Sequence, residues 1–195
     1  MEINKKYNEF WSEFSVLSRK ILDNPLDDET INKVDALVYD LGEFDWEYGP
    51  SKKREYYFAL SPNLRLDLLD EVDKIVSLAP EMPDWEIISC KPKKEEELDQ
   101  WSMLNQNEEE IEIDTTGWSC ILYKFQDGTY EIDVKVGPIN GDEDTKYTAV
   151  TIQLTNILGE RKYLTAIANF KIVDEFSSEI SNRSILVKDL DSYIS

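Results

Sequence analysis

The hydrophobic period of this chain changes at Gly42, and that change points to its fold class. Between Asn4 and Leu22 the apolar residues Tyr7, Phe10, Trp11, Phe14, Leu17 and Ile21 recur every three or four positions. That spacing marks one face of an amphipathic helix, with Asn4 as a suitable cap and Asn24-Pro25 as the stop. Asp27 or Asp28 then caps a second helix whose inner face is Ile31, Val34, Leu37, Val38 and Leu41. Past Gly42 the period falls to two. Phe44, Trp46 and Tyr48 alternate with acidic residues, as a strand with one buried face requires. A helical hairpin followed by strands and further helices predicts the α+β class with a largely antiparallel sheet.

The rest of the chain keeps mixing the two periods. Gly49-Pro50-Ser51 begins a loop, Tyr56 to Leu60 reads as a strand, and Ser61-Pro62-Asn63 breaks it. Leu64 to Ala79 carries helical spacing up to Pro80, and Trp85 to Cys90 reads as a strand closed by Pro92. Trp118 to Phe125 and Tyr130 to Val136 flank the turn pair Asp127-Gly128, a strong hairpin signal. A helix follows from Thr145 to Leu158, stopped by Gly159. Tyr163 to Val173 then reads as one long strand, and Asn182 to Ile194 as a short terminal helix. Residues 43–92 and 117–173 thus share the order strand, turn, strand, break, helix, strand, two ββαβ-like units. The predicted organisation is one domain over 1–195: helices at 1–42, a first unit at 43–92, an acidic connector at 93–116, and a second unit with a terminal helix at 117–195.

Charge narrows the function. The 195 residues carry 21 Lys and Arg against 41 Asp and Glu, a formal charge of −20, and no histidine. So acidic a surface repels phosphates and anionic headgroups, so neither direct nucleic-acid binding nor membrane binding is expected. Without histidine, a Ser-His-Asp or Cys-His catalytic arrangement and most catalytic zinc sites are excluded. The 11% aromatic content argues for a packed core rather than a disordered acidic tail. No apolar run of signal-peptide or membrane-span length occurs, so a cytoplasmic location is expected.

No motif singles out a catalytic residue, a metal site or a cofactor. Cys90 and Cys120 stand alone inside apolar strands and read as reduced, buried thiols. The run Asn140-Gly141-Asp142-Glu143-Asp144 lacks the ligand order of a calcium loop and reads as an acidic lead into a helix. Two surface features remain. Lys52, Lys53 and Arg54, with Lys91 near a strand end, form basic islands that could meet to hold an anion. Residues 93–114 hold nine carboxylates against Lys93 and Lys94, a local charge of −7. Trp101, Met103, Leu104, Ile111 and Ile113 interleave with that charge. Glu95, Glu96, Glu97, Asp99, Glu108, Glu109 and Glu110, with Trp101 as an apolar anchor, are the candidate surface for a basic protein partner.

Three motifs carry a resemblance: Trp46-Glu47-Tyr48-Gly49-Pro50, then Ala79-Pro80 with Pro83-Asp84-Trp85-Glu86, and Leu158-Gly159-Glu160. They resemble an uncharacterised family of small acidic bacterial proteins over roughly residues 43–173, which implies a bacterial, cytoplasmic, single-domain protein and no named activity. In size and charge the chain is also similar to immunity proteins, which block basic toxin nucleases by covering them. The expected function is accordingly a non-enzymatic acidic interaction domain of immunity type. The alternatives are a small-molecule or anion-binding domain, even a weak hydrolase, with its pocket between the sheet and the helix at 64–79, or a DNA mimic.

Overall fold

The computed structural model describes residues 2–94, 99–105 and 107–194, and places them in two compact units, Met1–Lys91 and Pro92–Ser195. The fold is α+β, opening with the helical hairpin that the sequence period predicts. Each unit buries its own core and is described by itself.

In the first unit, helix α1 (Glu2–Asp23) packs against α2 (Asp28–Leu41). Asp27 caps α2 by accepting from the Thr30 amide, and Gly42 ends it at φ 150° with its amide bonded to the Tyr39 carbonyl. The predicted apolar face is the buried one: Tyr7, Phe10, Trp11, Phe14 and Ile21 join Val34, Val38 and Leu41. They meet a three-stranded sheet in the order β1 (Asp45–Pro50), β2 (Tyr56–Ser61), β3 (Trp85–Ser89). β1 and β2 are antiparallel, whereas β3 returns parallel to β2 after a 3₁₀ turn at Leu66–Leu68 and helix α3 (Leu69–Ser77). Gly49 and Pro50, expected in a loop, extend β1, where an edge strand tolerates the missing N–H of proline. The core is aromatic. Phe14 and Phe58 have ring centroids 4.2 Å apart, and Trp11 donates from Nε1 to the Ile75 carbonyl at 2.8 Å. Each such fully buried side chain contributes roughly 1.5–3 kcal/mol of transfer free energy. Val72 and Ile75 of α3 are buried in the same cluster, on the helix that the small-molecule alternative places beside its pocket.

The second unit repeats the pattern. β6 (Ser119–Lys124) and β7 (Tyr130–Lys135) form the Asp127-Gly128 hairpin, with Gly128 at φ 90°. Helix α4 (Glu143–Leu158) crosses to β8 (Ile167–Ile172), which runs parallel to β7. Both units therefore share element order and pairing: an antiparallel hairpin, a helical crossover, then a parallel strand beside the second strand of the hairpin. Trp118, Cys120, Ile132, Val134, Val150, Leu154, Phe170 and Leu190 form the core.

Two local expectations are corrected, and the acidic connector gains strands that the sequence reading did not assign. The long strand predicted from Tyr163 to Val173 is helix α5 (Glu160–Ala166) followed by the six-residue β8. Gly159, at φ 76°, ends α4 and lets the helix restart in a new direction. The predicted C-terminal helix is instead a 3₁₀ turn (Ser181–Arg183), a short strand β9 (Ile185–Leu186) beside β6, and a 3₁₀ segment (Val187–Ser192). The acidic connector contains β4 (Gln100–Leu104) and β5 (Glu110–Asp114), which pair antiparallel as a separate two-stranded sheet.

Candidate functional site

The β4–β5 hairpin forms because every second residue within each of its strands is apolar and can turn to one face. Trp101 and Met103 on β4, with Ile111 and Ile113 on β5, turn inward onto the second core; Ile113 is 1% exposed. Gln100, Ser102, Leu104, Glu110, Glu112 and Asp114 turn outward. The cross-strand pairs place Gln100 opposite Asp114, Ser102 opposite Glu112 and Leu104 opposite Glu110. One strand thus bears three carboxylates in a row, about 6.7 Å apart at two residues per repeat. The other bears neutral groups, including Leu104, which is 64% exposed.

A chain of donors pins the hairpin to α4. Trp101 Nε1 donates to Gln153 Oε1 at 3.1 Å, and Gln153 Nε2 donates to Thr115 Oγ1 at 3.3 Å. The Thr115 hydroxyl and amide in turn donate to the Asp99 carbonyl at 3.3 and 2.8 Å. Gln153 is 4% exposed, so these bonds satisfy a polar group that would otherwise be buried at a cost. The sequence treats Trp101 as an anchor for a partner, whereas the structure uses its indole internally. Asp99 is half-buried and contributes its backbone.

The hairpin turn is held by Asn105. Its side-chain oxygen accepts from the Asn107 and Glu109 amides, and its amide nitrogen donates to Glu109 Oε2 at 3.0 Å. Glu108 takes a left-handed conformation, φ 62°, where such loops favour glycine. This turn lines a cleft of about 570 Å³ with the loop before α4: Asn105, Glu109 and Glu110 face Asn140, Gly141 and Asp142. Among the described residues that line the cleft, none is basic. Asp142 is the cap of α4, accepting from the Thr145 amide and hydroxyl, and those bonds hold its carboxyl below the usual range. Two acidic stretches that the sequence separates by some thirty residues therefore line one cleft.

Cations do not neutralise the hairpin. Among the described residues Glu108, Glu109, Glu110, Glu112 and Asp114 form no ion pair; Ser102 donates to Glu110, and the Thr116 amide to Asp114. Glu95, Glu96 and Glu97 lie outside the described residues. The basic islands, by contrast, have acidic neighbours. Lys53 pairs with Glu86, Arg54 donates to the Pro83 carbonyl, Lys52 is exposed in the same loop, and Lys91 pairs with Asp45. Lys53–Glu86 lies at the Tyr56–Trp85 end of the sheet and Lys91–Asp45 at the Leu60–Ser89 end, so the two islands sit at opposite ends of the strands.

Sequence reasoning missed the two strands and Glu112 and Asp114, although the period-two alternation of 110–114 was in plain view. Among the described residues no group of three or more metal-ligating side chains converges, and no helix is long and apolar enough to cross a membrane. Cys90 and Cys120 are buried thiols not joined in a disulfide, and burial pushes the Cys120 thiol up to about 12. No protein-family model, curated protein or solved structure matches the chain.

Proposed function

We propose that this protein is a non-enzymatic binding module that captures a basic protein through the outer face of the β4–β5 hairpin and the adjoining acidic cleft. The observation that carries the reading is the row Glu110, Glu112, Asp114, held on an ordered strand with no cationic partner among the described residues. A folded chain of net charge −20 gains no stability from further unpaired carboxylates, because like charges repel in the compact state. An oriented, unpaired row instead accelerates encounter with a basic surface and selects against acidic ones. Leu104, exposed on the same face, supplies apolar contact in place of the internal Trp101. Blocking a basic toxin in the bacterial cytoplasm, as immunity proteins do, is the role this chemistry suits best.

The single row favours a protein partner over the DNA-mimic alternative. A duplex presents two rows of charge, and β4 offers Gln100, Ser102 and Leu104 where the second would lie. The test uses paired baits, the unaltered chain and Glu110→Gln/Glu112→Gln/Asp114→Asn, against the basic proteins encoded beside its gene. Retention by the first bait alone, lost at high salt, is the expected outcome. Equal retention by both baits would overturn the proposal.

A further inference from the structure

We infer that the outer edge of β5 is a docking edge for an extended basic segment of the partner, which joins the hairpin as a third strand. This rests on the reading that the hairpin face receives a basic protein. Among the described residues, β4 and β5 form a sheet of two strands, and β5 pairs with β4 alone. Among the described residues, no backbone hydrogen bond other than those to β4 engages residues 110–114. This edge lacks backbone hydrogen bonds, with Gly137 beside the Asp114 carbonyl and the cleft beside Glu110, and is a template for strand addition from the cleft side, in which main-chain bonds supply affinity and alternate side chains supply specificity.

Charge decides both the edge and the occupant. A strand added beside β5 places its solvent-facing side chains about 4.5–5.5 Å from Glu110, Glu112 and Asp114. Beside β4 the neighbours would be Gln100, Ser102 and Leu104. The fitting segment therefore alternates Lys or Arg with apolar residues, the basic set opposite the carboxylates and the apolar set toward the side of Ile111 and Ile113. The same carboxylates keep two copies of this chain from pairing edge to edge, since like charges directly opposite are destabilising. The edge is thus closed to its own kind and open to a basic strand.

The probe is a nine-residue peptide alternating lysine and valine, titrated into the full chain at low salt. Two further peptides carry N-methyl groups on the lysine amides or on the valine amides. Only one of these two sets can face β5, so one methylated peptide should bind about tenfold or more weaker than the other. The unmethylated peptide should slow amide exchange at 110–114. Equal binding by both methylated peptides, or slowing at 100–104 instead, overturns strand addition at β5 while leaving the basic-partner reading standing. If none of the three peptides binds, both fall.

Discussion

Trp101 separates a docked hairpin from an acidic appendage. Its indole packs against the second core and donates to Gln153, which is buried on α4. Trp101→Phe keeps most of the ring contact and removes one hydrogen bond, which should cost about 1 kcal/mol. Trp101→Ala removes the ring as well. Large aromatic truncations in full cores cost about 3–5 kcal/mol, so a half-buried ring with its bond should cost about 3. In a unit of about 100 residues, each kcal/mol lowers Tm by about 4–8 °C. Calorimetry and denaturant titration of the full chain should therefore place the phenylalanine variant about 4–8 °C below the parent and the alanine variant more than 10 °C below. Coupling of about 1 kcal/mol between Trp101→Phe and Gln153→Leu in a double-mutant cycle should identify the bond itself. Unchanged stability in Trp101→Ala, with fast amide exchange at Ile111 and Ile113, would refute the docked hairpin.

Three further outcomes follow from the geometry. Glu108→Gly should stabilise the chain by about 1 kcal/mol, because it removes a side chain from a left-handed position; denaturant titration checks it. Cys120 should resist thiol reagents at pH 8 in the native chain and react only as the chain unfolds, and rapid native labelling would contradict its burial. Asp191 is held below its usual 3.8 by hydrogen bonds from Lys162 and Lys93. A depressed carboxyl stabilises the fold above pH 3.8, and that contribution fades as pH falls through the lowered value. Asp191→Asn should therefore flatten the acid limb of the stability profile below about pH 4, and an unaltered limb would refute this contribution.

Elements with a strong period and clear punctuation were legible in the sequence. Asp27, Gly42, Asp127-Gly128 and Gly159 all act where their chemistry directs, and the inner faces of α1 and α2 are the apolar stripes. What escaped was structure in which composition outweighs pattern. Residues 100–114 read as charge, because strand residues such as Glu110, Glu112 and Asp114 have low strand propensity. Their alternation with Ile111 and Ile113 was enough to bury one face. At Tyr163 the β-forming residues suggested a strand, but Gly159 restarts a helix whose first turn carries Glu160. The inward use of Trp101 depends on Gln153, fifty-two positions away, and no local pattern could reveal it.

The central claim is that the carboxylate row on β5 is a binding surface. The salt dependence of partner affinity for the parent chain and for Glu110→Gln/Glu112→Gln/Asp114→Asn tests it most directly. Three exposed charge pairs at about 0.2–1 kcal/mol each predict a loss of roughly three- to a hundredfold at low salt. The difference should shrink as salt screens the pairs, while the folded stability of the variant stays within about 0.5 kcal/mol. Equal affinities for the two chains at every salt concentration would contradict the account.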